Sequence, residues 1–233
     1  MSESHDNAAR ITAVSGVLFV ALFLVAFLLF TKSGYPDSND GARKIAAYMV
    51  AHRDAALWQQ FLIGLAFLAG AGFIGGVTAM LWRTEAARPL AVIGAVGGAA
   101  AGGMGMVGSA MLTVLAYRPP IGDPGLMRTL LDAGYITLNA SGYLLAAFVG
   151  AASIAALRTH ALPAWTGQVG IPVAVLQVVG AACVASGDGA FSPQGLVTII
   201  ALLAMMVWTV CVAVAVRRPM EVATPAPSAP APA

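Results

Sequence analysis

Ionisable side chains are scarce in this chain. Of its 233 residues, 59% are hydrophobic and only 9% are charged, whereas about 25% charged residues is usual in soluble domains. So little charge cannot cover a water-exposed surface, which excludes an ordinary soluble domain and indicates an integral membrane protein. The net charge is only +2 and the twelve Lys and Arg are scattered. Because nucleic-acid binding needs a basic stripe that releases counterions, we expect no nucleic-acid partner.

Histidine and cysteine are too few and too far apart to build a metal or haem site. The three histidines, His5, His52 and His160, lie outside the apolar runs, and no Cys-x-x-Cys or His-Glu-x-x-His occurs. The two cysteines, Cys183 and Cys211, are predicted to lie near opposite faces of the membrane. We therefore expect no metal site, no cofactor and no disulfide bond.

Six long runs contain no charged residue at all. A membrane-spanning helix needs about 20 mainly apolar residues, and a charge near the bilayer centre costs roughly 2.5–3.5 kcal/mol on insertion scales. All twelve Lys and Arg and all ten Asp and Glu lie outside the runs. The sequence therefore predicts an all-α, polytopic transmembrane helical bundle with six spans, at about 11–30, 57–82, 90–117, 134–157, 163–185 and 195–216.

The remaining segments set the domain limits and the orientation. Residues 1–10 form an N-terminal tail, 11–218 the six-span domain, and 219–233 a disordered tail rich in alanine and proline. Lys and Arg divide equally, six to each side, but the short loops 83–89 and 158–162 are basic and the short loop 186–194 is not. By the positive-inside rule this predicts a multi-pass membrane protein with both termini cytoplasmic.

Two outer loops carry apolar residues at helical spacing. Loop one has Ile45, Tyr48, Met49 and His52, and loop three has Leu126, Met127, Leu130 and Leu131 after Asp123-Pro124. Asp before Pro is typical of an N-cap followed by the first helical position. We predict a short amphipathic surface helix in each of these two loops.

Glycine is concentrated in the third span. Gly94, Gly98 and Gly102 form a run of small residues at every fourth position, which lets two helices approach closely. The run is explained either by tight packing inside the bundle, or by a sliding helix or a self-association surface.

Aromatic and polar side chains gather toward one side of the predicted spans. Trp58 and Tyr117 lie at the outer boundary, where amphipathic rings favour the headgroup level. At 1.5 Å rise per residue, six further polar or aromatic residues fall in the outer half: Gln59, Gln60, Tyr135, Asn139, Tyr143 and Gln177. They are either interhelical hydrogen-bonding groups or the lining of a pocket that opens outward and binds a lipid or small amphiphile.

No predicted span contains a histidine or a carboxylate. Proton-coupled transport and intramembrane proteolysis normally depend on such groups within the membrane. We therefore expect a non-enzymatic membrane protein that binds membrane lipid, a small amphiphile or another membrane protein from the outer side. The alternative is a small transporter or permease-like subunit.

Several short motifs resemble those of a family of uncharacterised six-helix membrane proteins from actinobacteria, known as a domain of unknown function. They follow the first span, precede the fourth and join the fourth to the fifth: Pro36, Ile45-Ala46-Ala47-Tyr48, His52-Arg53, Asp123-Pro124, Leu157-Arg158-Thr159 and Leu162-Pro163-Ala164-Trp165. The resemblance covers most of residues 11–218. It implies a location in the bacterial cytoplasmic membrane and no established activity.

Overall fold

The computed structural model describes residues 2–32, 34–36, 40–118, 123–185 and 189–217. Within these residues the chain forms seven α-helices: α1 Ser2–Lys32, α2 Ala42–Ala51, α3 Arg53–Trp82, α4 Arg88–Tyr117, α5 Pro124–Thr159, α6 Ala164–Ala181 and α7 Leu196–Ala215. Short 3-10 turns lie at Glu85–Ala87, Ala182–Ala185 and Gly189–Phe191. The predicted tail at 219–233 lies outside the described residues.

Six of these helices, all except α2, are long and apolar enough to cross a membrane. Their most apolar windows are only 28% to 50% buried, and they expose large apolar side chains such as Leu68 and Val96. In water such a surface would be unfavourable, whereas in hydrocarbon it is the expected one. The prediction of a six-span helical bundle is confirmed, and the structure is consistent with a multi-pass membrane protein.

The six long helices form a closed ring in which each packs against the next along the chain and α1 packs against α7. α3, α5 and α7 each send one aromatic side chain, Phe73, Phe148 and Trp208, into the interior. Their ring centroids lie 5.8 to 6.2 Å apart in edge-to-face pairs, an arrangement that the aromatic quadrupole favours. These three rings fix the mutual positions of alternate helices in the ring.

The two ends of the bundle differ. We call the end where α1, α4 and α6 finish and α3, α5 and α7 begin the long-loop end, and the opposite end the short-loop end. The long-loop end carries α2 and the segments around residues 118–123 and 182–195. The short-loop end has only the brief connections 83–87 and 160–163.

The predicted helix in loop one is present as α2, and its apolar face is buried. Ile45 and Met49 are almost completely enclosed and pack with Leu115 of α4 and with Met127 and Leu131 of α5. α2 therefore covers the long-loop end of α4 and α5 and contributes to the core there.

The predicted separate helix in loop three is the beginning of α5. Asp123 Oδ1 accepts a 3.0 Å hydrogen bond from the backbone N–H of Leu126, as an N-cap does, and Pro124 takes the first helical position. No helix-breaking residue follows before the apolar run, so the helix continues to Thr159. α1 likewise begins nine residues before the predicted span, at Ser2, because a span prediction counts apolarity and not helix length.

The glycines of α4 contact both neighbouring helices. A Cβ atom on Gly94 would lie 3.5 Å from Phe148 of α5, and one on Gly98 would lie 2.8 Å from Ile74 of α3. A Cβ on Gly102 would meet nothing within 4 Å. Gly94 and Gly98 therefore lie at helix contacts within the chain, whereas Gly102 does not share that role.

Candidate functional site

Three of the four amide side chains predicted as ligand-binding groups join different pairs of elements. Gln60 Oε1 accepts a 2.6 Å hydrogen bond from the Ser109 hydroxyl between α3 and α4. Asn139 Nδ2 donates to the carbonyl oxygen of Pro193 at 2.8 Å, and Gln177 Nε2 donates to that of Ala201 at 2.6 Å. Amides in hydrocarbon need such partners. Each of these amides is therefore bonded within the chain, Gln60 between α3 and α4 and the other two where α5 and α6 meet α7 and the segment that leads into it.

The other predicted residues differ in burial. Gln59 is buried on the face of α3 that carries Phe73 into the interior. Tyr143 is exposed, whereas Tyr135 is half-buried. At 3.6 residues per turn, each step of four residues rotates a helical position by about 40°, so Tyr143 has turned well away from Tyr135. Whether any of these residues binds a ligand stays a prediction.

Tyr135 belongs to a group of three tyrosines at the long-loop end. The ring of Tyr35 lies 5.1 Å from that of Tyr48 in α2 and 6.4 Å from that of Tyr135 in α5. The Tyr35 and Tyr135 side chains are hydrogen-bonded. Burial raises the pKa of Tyr35 well above its usual range, and the hydrogen bond from Tyr135 opposes that shift only in part. These contacts hold the segment before α2, and α2 itself, against α5.

A second set of polar groups meets where α3 begins and α4 ends. Nε and Nη2 of Arg53 each donate to the carbonyl oxygen of Tyr117 at 3.4 Å. That oxygen is among the last carbonyls of α4, which have no partner within the helix, and a cation there complements the helix dipole. The guanidinium carbons of Arg53 and Arg118 lie 5.6 and 5.9 Å from the centroid of the Tyr117 ring. Two cations are thus gathered around one aromatic side chain.

An open groove lies on the first turns of α3, where Asp54 follows Arg53. It has a volume of about 430 Å³ and is lined by Asp54, Leu57, Trp58 and Phe61. The rings of Trp58 and Phe61 meet edge to face with centroids 5.7 Å apart, and the two side chains are 63% and 56% exposed. Because more than half of each side chain is exposed, both rings are available to a ligand or to lipid.

The groove has an apolar floor and one charged lining residue, Asp54, which is paired with the neighbouring Arg53. Nη1 of Arg53 lies 3.6 Å from Oδ1 of Asp54, and both side chains are exposed to a large degree. Below them the exposed face of α3 continues with Leu65 and Leu68. A molecule with a charged head and an apolar tail would match α3, where the charged residues come first and the exposed apolar residues follow. Among the described residues, no group of three His, Cys, Asp or Glu side chains is placed to hold a metal ion.

Sequence reasoning noticed Trp58 and Tyr117 only as boundary aromatics and did not identify this groove. Arg53 and Tyr117 are 64 positions apart and meet only because α3 and α4 pack as antiparallel neighbours. No family model, no curated protein and no solved structure matches the chain. The family resemblance noted from the sequence therefore stays a prediction.

Proposed function

We propose that this protein is a non-enzymatic membrane protein that binds a phospholipid in the groove at the long-loop end of α3. One observation carries the proposal: Arg53, which shares the Tyr117 ring with Arg118, also contacts Asp54, and Asp54 lines a groove whose other lining residues are aromatic and apolar. Guanidinium groups bind phosphate through short, charge-assisted hydrogen bonds. The phosphate of the lipid would therefore sit beside Tyr117.

The acyl chains would follow the exposed face of α3. Trp58, Phe61, Leu65 and Leu68 succeed one another at steps of three and four residues, which places them in one stripe along the helix. Arg53 is already held by its hydrogen bonds to the end of α4, so less side-chain freedom is lost when a phosphate binds. A headgroup contact and an acyl contact together distinguish this face from the rest of the lipid-facing surface.

A test of this function compares lipid retention in two cation variants. Native mass spectrometry of the full chain, titrated with a short-chain phospholipid, measures the dissociation constant. Charged hydrogen bonds are worth roughly 1.5–3 kcal/mol, so Arg53→Gln with Arg118→Gln should weaken binding about tenfold or more. Arg43→Gln removes an exposed cation elsewhere at the same end and should leave binding unchanged. Equal binding by both proteins would overturn the proposal.

Arg118→Gln alone separates a loss of binding from a loss of structure. Arg53 also holds the end of α4, so its replacement removes a contact within the bundle. Arg118 contacts only the Tyr117 ring in the described part of the chain, and its replacement leaves the α3–α4 contact in place. The single variant should bind the phospholipid several-fold more weakly at unchanged thermal stability.

We also propose that the long-loop end faces away from the cytoplasm of a bacterial plasma membrane. Three of its cations are paired within the chain, as Lys44–Asp40, Arg53–Asp54 and Arg128–Asp132, whereas Arg43 and Arg118 make no ion pair with a described residue and belong to the longer connections. At the short-loop end Arg10, Arg158 and Arg217 are exposed and make no ion pair with a described residue. Unneutralised arginines in short connections favour the cytoplasmic side.

Labelling of single cysteines tests this orientation in intact cells. In a background without Cys183 and Cys211, an impermeant thiol reagent should label Arg43→Cys at the long-loop end and not Glu85→Cys at the short-loop end. Labelling of the Glu85 variant alone would reverse the proposed orientation and leave the lipid site on the cytoplasmic face.

A further inference from the structure

Resting on the proposed phospholipid site, we infer that the headgroup it takes is zwitterionic, with a primary ammonium group next to the phosphate as in phosphatidylethanolamine. The inference follows from Asp54, which lines the groove on the same helix turn as Arg53. Phosphate binding alone would require only the two arginines.

Arg53 and Asp54 place a positive and a negative charge side by side, which complements a headgroup with a phosphate next to an ammonium. The carboxylate of Asp54 and the guanidinium of Arg53 lie side by side, 3.6 Å apart. A phosphate bound to Arg53 and Arg118 would bring the group attached to it over Asp54. An ammonium group at this position would donate a charged hydrogen bond to the Asp54 carboxylate. A neutral glycerol headgroup has no positive charge there, so the repulsion between the phosphate and the Asp54 carboxylate would not be offset.

The aromatic side chains of the groove favour the same headgroup. Trp58 and Phe61 line the groove together with Asp54 and meet edge to face, so a ring face remains open to a ligand cation. Cations bind over such faces, most strongly over tryptophan. A primary ammonium also has N–H donors for the Asp54 carboxylate, which a quaternary ammonium lacks. The groove therefore suits ethanolamine better than choline.

The deciding measurement is the preference of the full-length protein between two lipids with identical short acyl chains. Purified protein in detergent is titrated with phosphatidylethanolamine and with phosphatidylglycerol, and the ratio of dissociation constants is read by native mass spectrometry. We expect the wild type to prefer phosphatidylethanolamine by about threefold to tenfold, the range given by one exposed ion pair with a cation–π contact.

Two acidic variants locate the origin of that preference. Asp54→Asn should bring the ratio close to one, while binding of phosphatidylglycerol stays the same or becomes tighter. Asp132→Asn removes a carboxylate that is paired with Arg128 at the same end, outside the groove, and should keep the wild-type ratio. Asp54→Glu, which restores the charge, should recover most of the preference.

The possible results separate this inference from the function on which it rests. If the wild type binds both lipids equally, or if Asp54→Asn keeps the preference, the headgroup inference is wrong while phospholipid binding stands. If the wild type binds neither lipid better than the Arg53→Gln and Arg118→Gln double variant does, the proposed function itself fails.

Discussion

The hydroxyl of Ser109 donates a 2.6 Å hydrogen bond to Oε1 of Gln60 and thereby joins α4 to α3 inside the apolar bundle. Both side chains are buried, so water cannot replace either partner. Of the polar contacts between long helices, this one lies closest to the Arg53–Tyr117 contact along the same helix pair. It helps to hold α3 and α4 in the register that the candidate lipid site requires.

Replacement of Ser109 by alanine should therefore destabilise the bundle. Interhelical hydrogen bonds in membrane proteins contribute about 0.6 kcal/mol on average and at most about 1.7, so we expect a loss near 1 kcal/mol in detergent unfolding experiments. Thr113→Val is the matched control, because the Thr113 hydroxyl bonds only to the Ser109 carbonyl oxygen of its own helix. Equal stability of the two variants would contradict an interhelical role for Ser109.

Two glycines of α4 should respond in opposite ways to replacement by alanine. A Cβ on Gly108 would lie 2.7 Å from the carbonyl oxygen of Gly134 in α5, and backbone cannot move aside cheaply. Overpacking of this kind costs about 1–3 kcal/mol. A Cβ on Gly103 would meet nothing within 4 Å, so Gly103→Ala should be neutral or slightly stabilising. Thermal unfolding in detergent compares the two, and similar destabilisation by both would contradict the α4–α5 contact.

The six spans could be predicted from the sequence because each is recognised from its own residues alone, as a long apolar run without charge. Every charged residue lies outside the six runs, so the absence of charge marks each span without knowledge of its neighbours. The start of α5 was equally readable, since Asp123 and Pro124 carry their own cap signal. The prediction that the loop-three helix ends before the fourth span was wrong, because α5 continues through Asp132. Met127 and Leu131, on the first turns of α5, are buried against α2. Such a contact between two helices cannot be read from the local sequence.

The contacts around the candidate site could not be predicted because the partners are distant in sequence. Arg53 and Tyr117 are 64 positions apart, Gln60 and Ser109 are 49 apart, and Asn139 and Pro193 are 54 apart. The spacing of such residues along one helix can be read from the sequence, but their partners on another helix cannot. The groove beside Arg53 depends on which face of α3 is left uncovered, and that is fixed by how α1 and α4 pack against it.

The aromatic group in the interior should dominate the stability of the bundle. Trp208 is fully buried between Phe73 and Phe148, and its Nε1–H donates to the carbonyl oxygen of Thr166 at 3.1 Å. Trp208→Ala leaves a large cavity and removes that donor, which costs about 3–5 kcal/mol. Trp165→Ala changes an exposed ring and should cost much less. Denaturant titration in mixed micelles measures both, and a small effect at Trp208 would contradict the packed interior.

Alkaline pH should loosen the attachment of α2 through Tyr35, which lies outside the six spans. Burial raises the pKa of Tyr35 above its usual value of 10.0, so the folded state holds the phenol proton more tightly than the unfolded chain does. Stability is therefore complete below about pH 10 and falls as the pH rises further, because the unfolded chain loses that proton first. Tyr35→Phe should reduce this alkaline loss, whereas Tyr143→Phe, which removes an exposed phenol, should not. Thermal unfolding in detergent from about pH 8 to pH 11 measures the difference, and identical curves for the two variants would contradict a buried phenol at position 35.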